Sequence, residues 1–478
     1  MGKYLSFLPS YVLPPLVAMG AVYAYTHLLD PAEYGIYALV LSVVQLALSV
    51  LFSWLQLGVK RFYPQAKAQG RLGILAVNVY AGYAFCAVLA LAGFAVLLVF
   101  QTDSHMRWAY GLGGGLLLAR SLALIGKAFQ LSALHARRYS LMECGESLIG
   151  FLAGLVLIWL FGWGTDGVIV GLAIGALASV AIDLPALRRR LAGGALDRVM
   201  VQDIFRFAAP MTYGYALEFV MSSSNRFFIQ HYLGEGAVGI YSVSYTLSDR
   251  CVSIVFQALA VVAYPLLMTA LEKGGADGAR RQLRANCELI LALAVPAWVG
   301  FLVVSPQIAS VLTGAAFSTE AGQIMPWVST AVFLSCWRQH YIDHAFHLAR
   351  RTEVYIYTAG PPAVLNVVLN IVLLPVMGTQ GAVVATVASY AFAFCISLGL
   401  SRRLFPLPFP WTTAAKVALA SLVMGGTLHS LAFASTAAGL AEAVLTGGAI
   451  YAAMALVLNL GDSRHRLLTK LSRVTAGK

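Results

Sequence analysis

Apolar segments of about 20 residues recur along almost the whole chain, and a helix of that length spans a bilayer core. They fall at 5–28, 34–58, 73–100, 107–133, 143–162, 167–187, 208–232, 238–268, 285–304, 322–347, 354–376, 381–401, 413–433 and 440–460. The connections are short, and even the longest, 188–207 and 269–284, have no room for a soluble domain. Of the 478 residues, 60% are hydrophobic and 11% are charged, against roughly 25% charged in soluble proteins. In a bilayer the backbone must satisfy its own hydrogen bonds, which selects helices for such segments. The sequence therefore predicts an all-α polytopic membrane protein of about 14 transmembrane helices.

The net charge of +12 would suggest nucleic acid in a soluble protein. Here the positions of the basic residues give another reason. With a cytoplasmic N-terminus, the inside loops and flanks hold Lys3, Lys60, Arg61, Lys67, Arg71, Arg137, Arg138, Arg188, Arg189, Arg190, Arg198 and Arg206. They continue with Lys273, Arg280, Arg281, Arg284, Arg350, Arg351, Arg402, Arg403, Lys416, Arg464, Arg466, Lys470, Arg473 and Lys478. The outside loops hold only Arg107, at a helix edge. This is the positive-inside pattern, so both termini are expected in the cytoplasm. No nucleic-acid motif is present, and no nucleic-acid partner is expected.

The start, MGKYLSFLPSYVLPPLVAM, has one charge and no small-residue cleavage site, and reads as a retained first helix. MGKYLS fits a myristoylation pattern, but the span behind it makes a lipid superfluous. Cys86, Cys144, Cys251, Cys287, Cys336 and Cys395 form no CxxC and read as reduced core residues, without a disulfide framework or zinc site.

The chain also repeats itself. HLLDPAEYGIY, His27 to Tyr37, returns without a gap as HYLGEGAVGIY, His231 to Tyr241. GTDGVIVGLA at Gly164 returns as GTQGAVVATV at Gly378, and the same offset carries Arg188-Arg189 onto Arg402-Arg403. Tyr63-Pro64 pairs more weakly with Tyr264-Pro265. The echoes frame two six-helix lobes of the same orientation, related by a parallel repeat as in some transporters, with two C-terminal helices outside it. The expected division is 1–190 for the first lobe, 191–207 for a cytoplasmic linker, 208–403 for the second lobe, and 404–478 for the two extra helices and a basic tail. In the first echo the turn residues Asp30-Pro31 and Gly234 read as a tight outside hairpin. Gly35 and Gly239 would let its second helix start close against its first. Tyr37 and Tyr241 would sit at interface depth. Turn geometry and packing account for His27 and His231 better than a substrate role does.

Two such lobes suggest a cavity between them and alternating access. On HLLDPAEYGIYALVLSVVQ, KRFYP, HYLGEGAVGIYSVSYTLSD and LNVVLNIVLLPVMGTQGAVVAT, the chain resembles the polysaccharide branch of the multidrug, oligosaccharidyl-lipid and polysaccharide (MOP) exporter superfamily, above all the Wzx-type O-antigen flippases. The resemblance implies a bacterial inner-membrane protein that moves undecaprenyl-diphosphate-linked oligosaccharide from the cytoplasmic to the periplasmic leaflet. Its partners would be that glycan, membrane lipids, and a polysaccharide polymerase and chain-length regulator. Lipid II flippases and drug or metabolite exporters of the same superfamily are the alternatives, with a non-transporting scaffold of a polysaccharide assembly complex as the third.

Charged residues inside spans are costly and usually face a cavity. Arg120, Lys127, Arg226, Arg250 and Arg338 lie in predicted spans, with the acids Glu218, Asp249 and Asp343 and the polar Ser222 and Asn225. The cations suit a diphosphate, whose oxygens guanidinium binds in pairs. The competing reading is pairing with Glu218 or Asp249, and Lys127 could snorkel to the interface. His340, Asp343, His344 and His347 share one helical face by spacing. They read as a proton-responsive cluster or a plain polar lining. A metal site there lacks further ligands.

No catalytic motif or P-loop is present, and GLGGG at 111–115 is not a nucleotide fingerprint. Neither an enzyme nor a cofactor is expected. Two negative charges leaving an inside-negative cell would gain about 4–5 kcal/mol at 100 mV, so outward transport of a diphosphate needs no ATP.

Overall fold

The computed structural model describes residues 7–349, 351 and 353–460. Lys3, Arg350 and the tail cations Arg464, Arg466, Lys470, Arg473 and Lys478, like the MGKYLS motif, lie outside the described residues. The helices are α1 (Leu8–Leu28), α2 (Pro31–Ala68, with a π-turn at Leu48–Phe52), α3 (Leu72–Phe100), α4 (Ser104–Ser132), α5 (Ala136–Phe161) and α6 (Gly164–Leu191). They continue as α7 (Arg198–Ser223), α8 (Asn225–Leu233), α9 (Glu235–Leu312), α10 (Ala315–Trp337), a π-turn at Arg338–Ile342, and α11 (His344–Leu348). The last four are α12 (Val354–Met377), α13 (Thr379–Leu404), α14 (Trp411–Ser430) and α15 (Ala437–Val457). Each expected apolar segment falls largely on helix among the described residues. Among the described residues, nine helices are long and apolar enough to cross a membrane by themselves. One of them, α9, has 78 residues and is broken at Gly275, where φ is +57°. The protein is thus all-helical and polytopic.

Local chemistry sets the boundaries. Asp30 caps α2: its Oδ1 accepts from Glu33 N at 2.8 Å, and Glu33 Oε2 accepts from Asp30 N at 3.2 Å. Pro31 fills the first helical position, where a missing N–H costs nothing. The side chains of Asp103, Asp197 and Thr436 cap α4, α7 and α15 by accepting from backbone N–H groups of the first turn. Gly164 and Gly378, the matching residues of the second echo, take φ of +48° and +57°. Both close a tight helix–helix turn that an L side chain would strain. Beyond them, Gly167 presses on Leu157 and Ile158 of α5, and Gly381 on Leu373 of α12. The echo therefore encodes the same close hairpin twice.

The first echo packs differently from expectation. A Cβ on Gly35 would overlap the Glu235 carbonyl, and one on Gly239 would overlap the Pro31 carbonyl. Each glycine thus admits the helix start of the other copy, and neither is spent on the preceding helix of its own hairpin. Tyr241 is wholly buried and accepts from Asn225 Nδ2 at 2.8 Å, so its hydroxyl is spent on a partner inside the unit.

The chain forms two compact units, 1–242 and 243–478. In the first, α5 and α6 pack through Gly150 and Gly154 against Gly171 and Gly175, a small-residue contact that brings backbones together. The segment between α6 and α7 is tied to this unit. Asn78 donates to Ala195 O at 3.0 Å and accepts from Asp197 N at 2.8 Å, and Arg71 pairs with Asp197 at 2.6 Å. In the second unit, α12 buries Asn366 and Asn370 while α13 buries Thr386, Ser389 and Ser397.

Candidate functional site

Helix α4 carries two of the predicted cavity cations, Arg120 and Lys127. Lys127 is buried, with Nζ 2.9 Å from Glu143 and 3.0 Å from Glu146 of α5. Arg120 Nε lies 3.6 Å from Glu146. The two acids, three apart on α5, reach the same Lys127 of α4. Lys127 thus finds acids within the unit, where snorkelling to an interface would leave it exposed. Deeper in the same unit, Asp183 of α6 accepts both Nη atoms of Arg190 at 2.6 and 3.0 Å and Gln130 Nε2 at 2.6 Å. Buried charge requires such pairing and hydrogen bonding.

Arg226 opens the short helix α8 just after the Ser222–Ser224 run. Its Nε donates to Ser242 Oγ at 2.9 Å. Neighbouring Asn225 is fully buried against Tyr241. Glu218, about two helical turns earlier, is half-buried. The polar stripe of α7–α8 thus exists, with Asn225 serving the packing of the echo and Arg226 on the more open side.

In the second unit, Asp249 is half-buried and Arg250 is exposed. Among the described residues Arg250 has no ion-pair partner. Arg338 and Asp343 form a pair at 3.0 Å, with side chains only 4% and 2% exposed. Residues five apart on an α-helix point about 140° away from one another. The π-turn closes this gap: Asp343 N donates to Arg338 O at 2.8 Å, five residues back, and π-turns of this kind often mark functional positions. The three histidines line up along α9. The His340 ring lies 5.8 Å from Phe256, and the His344 and His347 rings lie 5.6 and 6.2 Å from Tyr264. His347 also shares a 3.0 Å hydrogen bond with the Tyr355 hydroxyl. Asp343 leaves that face and turns to Arg338.

The structure therefore sorts the predicted cations. Arg120 and Lys127 share the acids of α5, Arg338 holds Asp343, Arg226 engages Ser242, and Arg250 is open. Glu143, Glu146 and Asp183 were not among the expected acids. Asp183 and Arg190 are seven apart, two helical turns on one face, so that pair has a readable spacing. The acids of α5 have none, since Lys127 and Glu146 are joined only by the fold. Of the cysteines, Cys86, Cys287 and Cys336 are buried, Cys144 and Cys251 are half-buried and Cys395 is exposed; all are free thiols.

Comparison with known proteins extends this picture. The family described as "Polysaccharide biosynthesis protein" matches residues 25–321. The "Probable low-salt glycan biosynthesis flippase Agl15" of Haloferax volcanii is 22% identical over 296 residues, which is 59% of this chain and 62% of that protein. The match thus spans less than two thirds of that relative's length. Among solved structures, the lipid II flippase MurJ in an inward closed conformation superposes with a TM-score of 0.71 at 13% identity, covering 95% of this chain and 98% of that one. An inward-facing multidrug resistance MATE family transporter of the MOP superfamily gives 0.66 at 13% identity, covering 84% and 98%. These two likenesses concern the fold. With the family match covering more than half of the chain and the helical architecture agreeing with it, the protein belongs to the polysaccharide biosynthesis protein family and is a multi-pass membrane protein with the MOP-superfamily fold.

Proposed function

We propose that the protein is a flippase that moves undecaprenyl-diphosphate-linked oligosaccharide from the cytoplasmic to the periplasmic leaflet of a bacterial inner membrane by alternating access. Both termini would be cytoplasmic, and the lobes of the sequence repeat would be the moving parts. The observation that carries this reading is Arg250. It stands on a helix apolar enough to cross a membrane, yet it is exposed and no carboxylate among the described residues neutralises it. A charge so placed is costly unless it meets water or an anionic ligand, and guanidinium suits a diphosphate. Within the first unit, Arg226, half-buried beside Ser242, is proposed as a further cation of the substrate path. Arg338, Arg120 and Lys127, each facing carboxylates, are not contacts that carry this reading.

The test is complementation of a deletion strain. Arg250→Ala should abolish surface polysaccharide and Arg250→Lys should restore part of it, because lysine keeps the charge and loses the planar fork. Arg250→Ala with Asp249→Ala should remain inactive. Export restored by that double change would make Arg250 a structural partner of Asp249 and overturn its role.

A further inference from the structure

One end of the first unit holds a pocket of about 200 Å³ that none of the intramembrane cations above reaches. Tyr63 comes from the last turns of α2, Phe129 from the end of α4, His135 and Arg138 from the start of α5, and Arg189 and Arg190 from the end of α6. All these helix ends meet on one side, so the turns themselves build the wall. Leu134, in the turn between α4 and α5, has φ of +58°. Leucine takes that left-handed backbone at a cost. The bend lets His135 N donate to Gln130 O at 3.0 Å, and it places His135 and Arg138 at the rim. Backbone strain retained at a pocket rim fits a functional constraint.

The charges are graded in depth. Arg190 forms the base: both Nη atoms are held by Asp183, and its guanidinium lies 4.8 Å over the Phe129 ring. Arg138 is half-buried and Arg189 is exposed, and among the described residues neither has an ion-pair partner. No acid lines the pocket. The positive-inside rule asks only for basic residues on this side. It does not ask for a concave site with a fixed arginine beneath two open ones. Along α6 toward the arginine run, Ile174, Leu177 and Leu184 are exposed apolar side chains, a surface suited to an acyl or prenyl chain.

We propose that this pocket binds the phosphoryl headgroup of a membrane lipid, with Arg138 and Arg189 as its open contacts and His135 beside them. Two sources share that chemistry: the diphosphate of a polyprenyl-linked glycan waiting to be moved, and an anionic phospholipid of the bilayer. The first source rests on the flippase reading; the pocket itself does not.

The experiment uses the full chain in nanodiscs of a neutral phosphatidylcholine matrix. Undecaprenyl diphosphate, phosphatidylglycerol and soluble inorganic diphosphate are titrated separately, and bound lipid is counted by native mass spectrometry. Arg138→Gln with Arg189→Gln should weaken lipid binding about 10-fold or more, and the matching Lys pair several-fold, because the bidentate fork is lost. Arg402→Gln with Arg403→Gln, the corresponding flank of the second unit, should change it by less than about 2-fold, as exposed charge alone would. Preference for undecaprenyl diphosphate assigns the site to the transported lipid, and parity with phosphatidylglycerol assigns it to bulk lipid; both support a lipid phosphoryl site. Unchanged binding in the Gln pair, full binding in the Lys pair, or equal loss in the Arg402/Arg403 variant would overturn it. So would inorganic diphosphate binding as tightly as the lipids. Because binding is read without transport, a failed export test at Arg250 leaves this result standing, and the reverse holds as well.

Discussion

The two units neutralise buried cations by different means. In the first, Lys127 is held by acids 16 and 19 residues away on the next helix, so the pair exists only when α4 and α5 have packed. In the second, Arg338 is held by Asp343, five residues along the chain, through a π-turn. The first arrangement ties helix to helix. The second ties one segment to itself and leaves the neighbouring faces free for His340, His344 and His347. A buried cation can therefore report either on interhelical assembly or on local backbone geometry, and only the fold tells which.

The comparison is broken most severely by removing the acids of the first unit. Glu143→Ala with Glu146→Ala leaves Lys127, its side chain 6% exposed, without a counter-charge, at a cost of about 3–5 kcal/mol. The thermal midpoint in detergent should fall steeply, and adding Lys127→Met should recover most of the loss. A small fall in the double acid variant would mean that these pairs do not hold α4 to α5. Arg338→Met should cost nearly as much, since Asp343 is left buried, and Arg338→Met with Asp343→Leu should regain stability. Export by that stable double variant separates a structural pair from a substrate contact: activity near wild type makes the pair structural, and lasting inactivity gives Arg338 a role beyond Asp343.

A smaller effect is expected at the first echo. Gly35→Ala or Gly239→Ala puts a methyl group into the carbonyl of the opposite copy, and such overpacking typically costs about 1–3 kcal/mol. Gly20→Ala and Gly93→Ala, which meet no atom, are the matched controls and should be neutral or slightly stabilising in helix. Equal stability in all four variants would remove the echo's packing role.

Much of this was legible in the sequence for a plain reason. Helix positions follow from runs of apolar residues, and their ends follow from Asp30-Pro31, Gly164 and Gly378, all local signals. The extension of α2 to Ala68 and of α7 back to Arg198 was hidden because helix continues past the apolar run into charged residues. The partners were less legible. The Gly35–Gly239 contact joins residues far apart in sequence, and sequence repetition suggests similar hairpins without saying that the two copies touch. Glu143 and Glu146 sit at the polar flank of their span, where acids look like solvated ends, and only packing carries Lys127 to them. The π-turn has no composition of its own, so helical spacing alone placed Asp343 on the histidine face and gave no sign of its pairing with Arg338.

The smallest expected effect belongs to the histidine face, and it sharpens the comparison at its local end. His340, His344 and His347 lie against Phe256 and Tyr264 of α9, in a segment whose own acid is already committed to Arg338. Asp343 therefore does not neutralise a protonated imidazole on that face, and a histidine that gained a proton there would have to meet the aromatic rings or an incoming anion. The triple change to Gln keeps hydrogen-bonding capacity and removes titration. Its stability should differ from wild type by no more than about 1 kcal/mol, as for changes that leave no cavity and no orphan charge. If the face responds to protons, export measured between pH 5.5 and 8, about the range in which histidine titrates, should lose its pH dependence while protein abundance is unchanged. A triple variant that keeps the wild-type pH profile makes the face a polar lining. A triple variant that loses export equally at every pH makes the imidazoles positioning groups for Tyr264 and Tyr355, whose hydroxyl already meets His347; restoring His347 alone should then recover most of the export.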